Sequence, residues 1–149
     1  MKFTSHNAQE TQAVAAEFAA TLHGGETVVL IGDLGAGKTT FVQGLAAALG
    51  VTARVKSPTF TVMNEYVLPP PPTPPPAGGE PLRRLLHLDL YRFTDATELR
   101  ALALEDERRP DTIVLIEWPN AIAYDFDADV VVTIDHAGGD ERTVSIDRG

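Results

Sequence analysis

The run Thr27-Val28-Val29-Leu30-Ile31 passes directly into Gly32-Asp33-Leu34-Gly35-Ala36-Gly37-Lys38-Thr39, and this junction restricts the possible folds more than any other part of the chain. Five consecutive apolar or β-branched residues suit a strand covered on both faces, as in the interior of a parallel sheet. After the glycines, Phe41, Val42, Leu45, Ala46 and Leu49 recur at helical spacing and Gly50 offers a stop, which predicts a helix of about three turns. Strand, glycine-rich turn and helix in that order, with Gly32-x4-Gly37-Lys38-Thr39 at the turn, match the phosphate-loop pattern. A polyphosphate needs many donors converging from one side. Backbone N–H groups in a loop free of bulky β-carbons supply them, helped by the positive end of the helix dipole. In this pattern Lys38 bridges the β and γ phosphates as a point charge, and the Thr39 hydroxyl is offered to Mg2+.

The remaining elements agree with a layered α/β arrangement. Val14, Phe18 and Leu22 recur every four residues, so Asn7 to Leu22 reads as a helix with one buried stripe, ended by Gly24-Gly25. Thr59 to Val67 is rich in β formers, Arg83 to Leu90 reads as a strand ending in Asp89, and Thr112 to Glu117 repeats the fully buried strand pattern. Thr94 to Leu99 resembles a capped helix start with Leu99 and Leu102 facing inward. Asp129 to Asp135 and Arg142 to Asp147 flank Ala137-Gly138-Gly139-Asp140 as a β-hairpin. The expected fold is a P-loop NTPase domain spanning residues 1–149, with a central, mostly parallel sheet, antiparallel flanking strands and helices on both faces. Residues 69–81 hold eight of the eleven prolines, so the ladder donors are missing there and a mobile, polyproline-like excursion is expected.

Composition narrows the function classes. A net charge of -9 argues against a phosphate-coating basic surface, so DNA is excluded as a direct partner and any nucleic acid is expected to be held by other chains. No apolar run approaches the roughly 20 residues that cross a bilayer, and the first residues lack the apolar stretch of a signal peptide. No membrane partner is expected, and the cytoplasm is the expected compartment. Cysteine is absent, which excludes thiolate catalysis and thiolate metal sites, and the four histidines are scattered without ligand spacing, as single core or surface residues would be.

A second acidic group is expected at the end of a neighbouring buried strand, where parallel α/β sheets place their ligand crevice. Asp89 and Glu117 both qualify. One would hold Mg2+, directly or through water, and the other would orient or deprotonate the attacking water. A GTPase is disfavoured because none of Lys2, Lys38 and Lys56 lies in an Asn-Lys-x-Asp sequence. A small-molecule kinase would need an acceptor pocket and an arginine-bearing lid, and a non-hydrolysing nucleotide-dependent binding module is the third alternative.

Gly32 to Thr40, Ser57-Pro58-Thr59-Phe60, Leu88-Asp89-Leu90-Tyr91-Arg92 and Ile116-Glu117-Trp118-Pro119 occur in that order, and together they resemble the bacterial TsaE (YjeE) family. The resemblance runs over nearly the whole chain; residues 69–81, which look like a local insertion, and a stretch near 121–127 depart from it. It implies a Mg-dependent ATPase that acts with TsaD and TsaB in installing threonylcarbamoyl on adenosine 37 of tRNAs reading codons that begin with A, reaching tRNA only through the complex. Carried over by position, it implies Mg2+ association for Thr39 and Glu117, a role in hydrolysis for Asp89 and Lys38, and a switch-type role near the γ phosphate for Thr59. Nucleotide contacts are implied for Asp33, Leu34, Gly35, Ala36, Gly37, Lys38, Thr39 and Thr40. Thr11 and Arg142 resemble base-side contacts, and Trp118 is placed beside the active site or the partner surface.

Overall fold

The computed structural model describes residues 1–32, 37–56, 63–69, 81–89, 104–107, 109–118 and 128–148. Strands β1 (Lys2–Ser5), β2 (Thr27–Ile31), β3 (Met63–Val67), β4 (Arg84–Asp89), β5 (Thr112–Trp118), β6 (Val130–Gly138) and β7 (Glu141–Arg148) form one sheet in the order β1-β7-β6-β2-β5-β4-β3. The four central strands, β6, β2, β5 and β4, run parallel to one another. β3 pairs antiparallel with β4 at one edge, and β7 and β1 add antiparallel at the other. This is the mixed sheet expected from the sequence.

The interior strands are apolar because both of their faces are covered. Val28, Val29 and Leu30 of β2 are completely buried, as are Leu85, Leu86 and Leu88 of β4 and Leu115 of β5. Alternate residues point to opposite faces. Val28, Leu30, Leu85, Ile113 and Leu115 share one core cluster with Phe18 of helix α1 (Ala8–Ala19) and Phe41, Val42 and Leu45 of helix α2 (Lys38–Ala48), so both described helices cover that face.

Helix α1 buries Thr11, Ala15, Phe18 and Ala19, whereas Val14, expected on the buried stripe, is only half-buried. The face is rotated because α1 and α2 approach very closely: a Cβ added at Gly44 would lie 2.6 Å from the Cα of Gln12. Small side chains occupy such a contact, and the large ones meet beside it, with the Phe18 and Phe41 rings 6.0 Å apart.

β1 has no counterpart in the sequence reading, and β6 runs to Gly138 rather than ending at Asp135. The proline-rich residues 70–80, the helix expected from Thr94, Arg92, Ser57 to Phe60 and the stretch 121–127 lie outside the described residues. No helix among the described residues is long and apolar enough to cross a membrane.

Candidate functional site

β2 ends at Ile31, followed by a buried Gly32; Gly37 is the N-cap of α2. Asp33, Leu34, Gly35 and Ala36 lie outside the described residues, so the two described ends of the loop define its setting. Gly37 has φ +105°, in the left-handed region that suits glycine, and a Cβ there would meet nothing within 4 Å among the described residues. The glycine is demanded by backbone conformation, and no described residue crowds it. No side chain caps α2, and its first turn carries no acidic residue. Lys38, Thr39 and Thr40 occupy that first turn and are half-buried.

The sheet register gathers the acidic candidates. In the parallel ladders Leu30 of β2 lies opposite Glu117 of β5, and Glu117 lies opposite Asp89 of β4. Laterally paired residues project from the same face, so Leu30, Glu117 and Asp89 form one row across three strands, each roughly 4.8 Å from the next. Leu30 packs in the core cluster with α2, which places the row on the α2 side of the sheet. Glu117 is 3% exposed and Asp89 is half-buried. A carboxylate taken so far out of water needs a cation or several donors to hold its charge.

One neighbour of Glu117 was read from the sequence only as a scattered histidine. His87 stands two residues before Asp89 on β4, hence on the same face, and it is completely buried. Its Nε2 lies 3.4 Å from Glu117 Oε2. Alternation with Asp89 along a strand was the available sequence signal, but it gains meaning only when β5 is known to lie alongside.

The two residues likened to base contacts both adjoin Ser5 at the opposite edge. Thr11 is buried on α1, with its Oγ1 2.6 Å from Ser5 Oγ and donating to Asn7 O at 3.3 Å. Ser5 is paired with Arg142 in the β1–β7 ladder, so the structure brings Thr11 and Arg142 to one corner. The Arg142 guanidinium donates to the carbonyls of Gly139 and Glu141. Trp118 follows Glu117 as the last residue of β5, opposite Ile31; its side chain, like Thr59, lies outside the described residues.

A strand ending just before Gly32, a helix starting at Gly37 with Lys38 and Thr39 in its first turn, and acids on the two strands beyond define the phosphate-loop class of α/β proteins. Residues 5–144 match the model of one family, Threonylcarbamoyl adenosine biosynthesis protein TsaE. The tRNA threonylcarbamoyladenosine biosynthesis protein TsaE of Bacillus subtilis is 37% identical over 149 residues, covering 97% of this chain and 84% of that protein. The protein of the same name from Aquifex aeolicus is 34% identical over 142 residues, covering 94% and 90%. A crystal structure of Bacillus subtilis YdiB superposes with a TM-score of 0.68 at 30% identity, covering 98% of this chain and 83% of that one. The chain belongs to the TsaE family.

Proposed function

We propose that this protein binds Mg-ATP at the open start of α2 and hydrolyses it to ADP and phosphate, as the ATPase component of threonylcarbamoyladenosine formation at position 37 of tRNAs reading codons that begin with A. Membership of the TsaE family and the names carried by its relatives support the pathway. The observation that carries the nucleotide site is the uncapped helix start at Gly37, bearing Lys38 and Thr39 one strand away from a buried Glu117. Among the described residues no side chain accepts from the backbone N–H groups at that start, and a polyphosphate would satisfy them.

The donor set suits magnesium. Thr39 offers a hydroxyl and Glu117 a carboxylate, both hard oxygen ligands, and a cation would balance the buried charge of Glu117. Once bound, magnesium would neutralise charge developing on the β and γ oxygens. Lys38 adds a fixed positive charge to the phosphates. Asp89, next in the row and nearer to water, is the group to orient or deprotonate the attacking water. Thr59 completes this proposal as a switch residue near the γ phosphate, and Thr11, Arg142 and Trp118 as contacts to the rest of the nucleotide. The acidic balance fits a protein that meets tRNA through partners, for which the TsaB–TsaD pair is proposed, in the cytoplasm.

Single-turnover phosphate release, measured with and without the TsaB–TsaD pair and with no added acceptor, tests this reading. Mg2+-dependent release that rises with the pair is expected, with Asp89→Asn losing turnover while keeping nucleotide affinity. Release only when a small-molecule acceptor is added would favour a kinase. Tight Mg-ATP binding with no phosphate under any condition would make the protein a nucleotide-dependent binding module.

A further inference from the structure

His87 and Glu117 are buried together, and their environment is costly. His87 is 0% exposed, Glu117 is 3% exposed, and neither ring nitrogen of His87 has a hydrogen-bond partner among the described residues. The Nε2–Oε2 separation of 3.4 Å is close enough for an ion pair but falls short of an aligned N–H···O bond. A buried polar group left without its bond costs about 1–3 kcal/mol, and an apolar side chain of similar size would avoid that cost. Leu85, two residues earlier on the same face of β4, and Leu115, the lateral neighbour of His87, show that the surrounding core accepts leucine. Packing therefore gives no reason for an imidazole at this position, whereas the carboxylate beside it does.

We infer that His87 is a positioning residue for Glu117: with its proton on Nε2 it donates to Oε2, fixing the carboxylate so that Oε1 is presented to the site at the end of β2. The inference rests on the magnesium reading of Glu117 given above. Carboxylates that hold metals are commonly oriented by such outer partners, whose removal costs about 10–100-fold in metal affinity or activity. Closing the pair from 3.4 Å to hydrogen-bond distance needs a movement of about half an ångström, within the reach of a side-chain adjustment.

The test uses the full-length protein, saturated with a non-hydrolysable ATP analogue and titrated with Mn2+ as a paramagnetic stand-in for magnesium. His87→Leu is expected to weaken Mn2+ binding about tenfold or more. His87→Gln, which keeps an N–H donor at similar reach, is expected to recover most of that loss, and all three proteins should bind the analogue equally in EDTA. Wild-type Mn2+ affinity in His87→Leu, or an equal loss of metal-free nucleotide affinity, overturns the inference. In the wild-type protein, 15N-histidine NMR should find His87 protonated at Nε2 and bare at Nδ1; the opposite tautomer overturns the inference even if His87→Leu does not fold. A wild-type protein that binds the analogue but shows no metal response would remove the magnesium reading itself, and this inference with it.

Discussion

The N-termini of α1 and α2 solve the same problem in opposite ways. Every α-helix begins with N–H groups that its own backbone cannot satisfy. In α1 the chain supplies the answer: Asn7 Oδ1 accepts from Glu10 N at 2.8 Å, and the Glu10 carboxylate accepts from His6 N at 3.0 Å. The Asn7 side chain satisfies one of the free N–H groups, and the Glu10 carboxylate puts a negative charge in the first turn, which disfavours an outside anion there. In α2 the N-cap is a glycine at φ +105° that no described residue crowds, no acid follows in the first turn, and a lysine stands at the first position. Both helices pack on the same face of the same sheet, so local sequence accounts for the contrast. One end is capped by its own side chains, and the other is the end proposed to receive a nucleotide.

The contrast predicts a dissociation between variants. The largest effect is expected from Lys38→Ala: losing a charge-assisted contact of about 1.5–3 kcal/mol should weaken Mg-ATP binding by up to about 100-fold. Calorimetric titration would measure this, while the thermal midpoint without nucleotide should stay near wild type. Undiminished affinity in that variant would remove the case for an anion site at α2. Asn7→Ala should behave in the reverse manner, costing about 1 kcal/mol in urea unfolding and leaving nucleotide affinity alone. If it lowered affinity as much as stability, the two helix ends would not be independent.

The smallest effect concerns acid. The Glu10 carboxyl lies below its ordinary value of 4.5, first through the backbone hydrogen bond from His6 and then through the His6 side chain. A carboxyl lowered on folding contributes stability that is fully present above its unfolded pKa and is lost as pH falls through the folded one. Wild type should therefore lose slightly more stability than Glu10→Gln on acidification below about pH 4.5, and parallel curves would show that the exposed cap contributes nothing measurable.

The elements legible in the sequence were those whose burial leaves a pattern. β2 and the apolar body of β5 stood out as unbroken apolar runs because interior parallel strands are covered on both sides. β1 did not, since Lys2-Phe3-Thr4-Ser5 is a short edge strand in which only Ser5 is buried. The last residues of β6, from Asp135 onward, are exposed; hydrogen bonding to β7 carries the strand past the point where apolar alternation stops. The site followed the same division. Gly37, Lys38 and Thr39 announce themselves by spacing, whereas the row of Leu30, Glu117 and Asp89 depends on β5 lying between β2 and β4, a strand order no local pattern states. His87 was invisible as a partner for the same reason, because its neighbour lies thirty positions away along the chain.

The contact between Gly44 and Gln12 has a mechanical consequence. There the backbones of α2 and α1 are seated directly against each other, which leaves little room for one helix to shift past the other. Through the Thr11–Ser5 contact, α1 is fastened to the outer strand of the sheet. The helix start at Gly37 and the corner that holds Thr11 and Arg142 are thus joined through closely packed structure, which yields less to a displacement than a loose contact would.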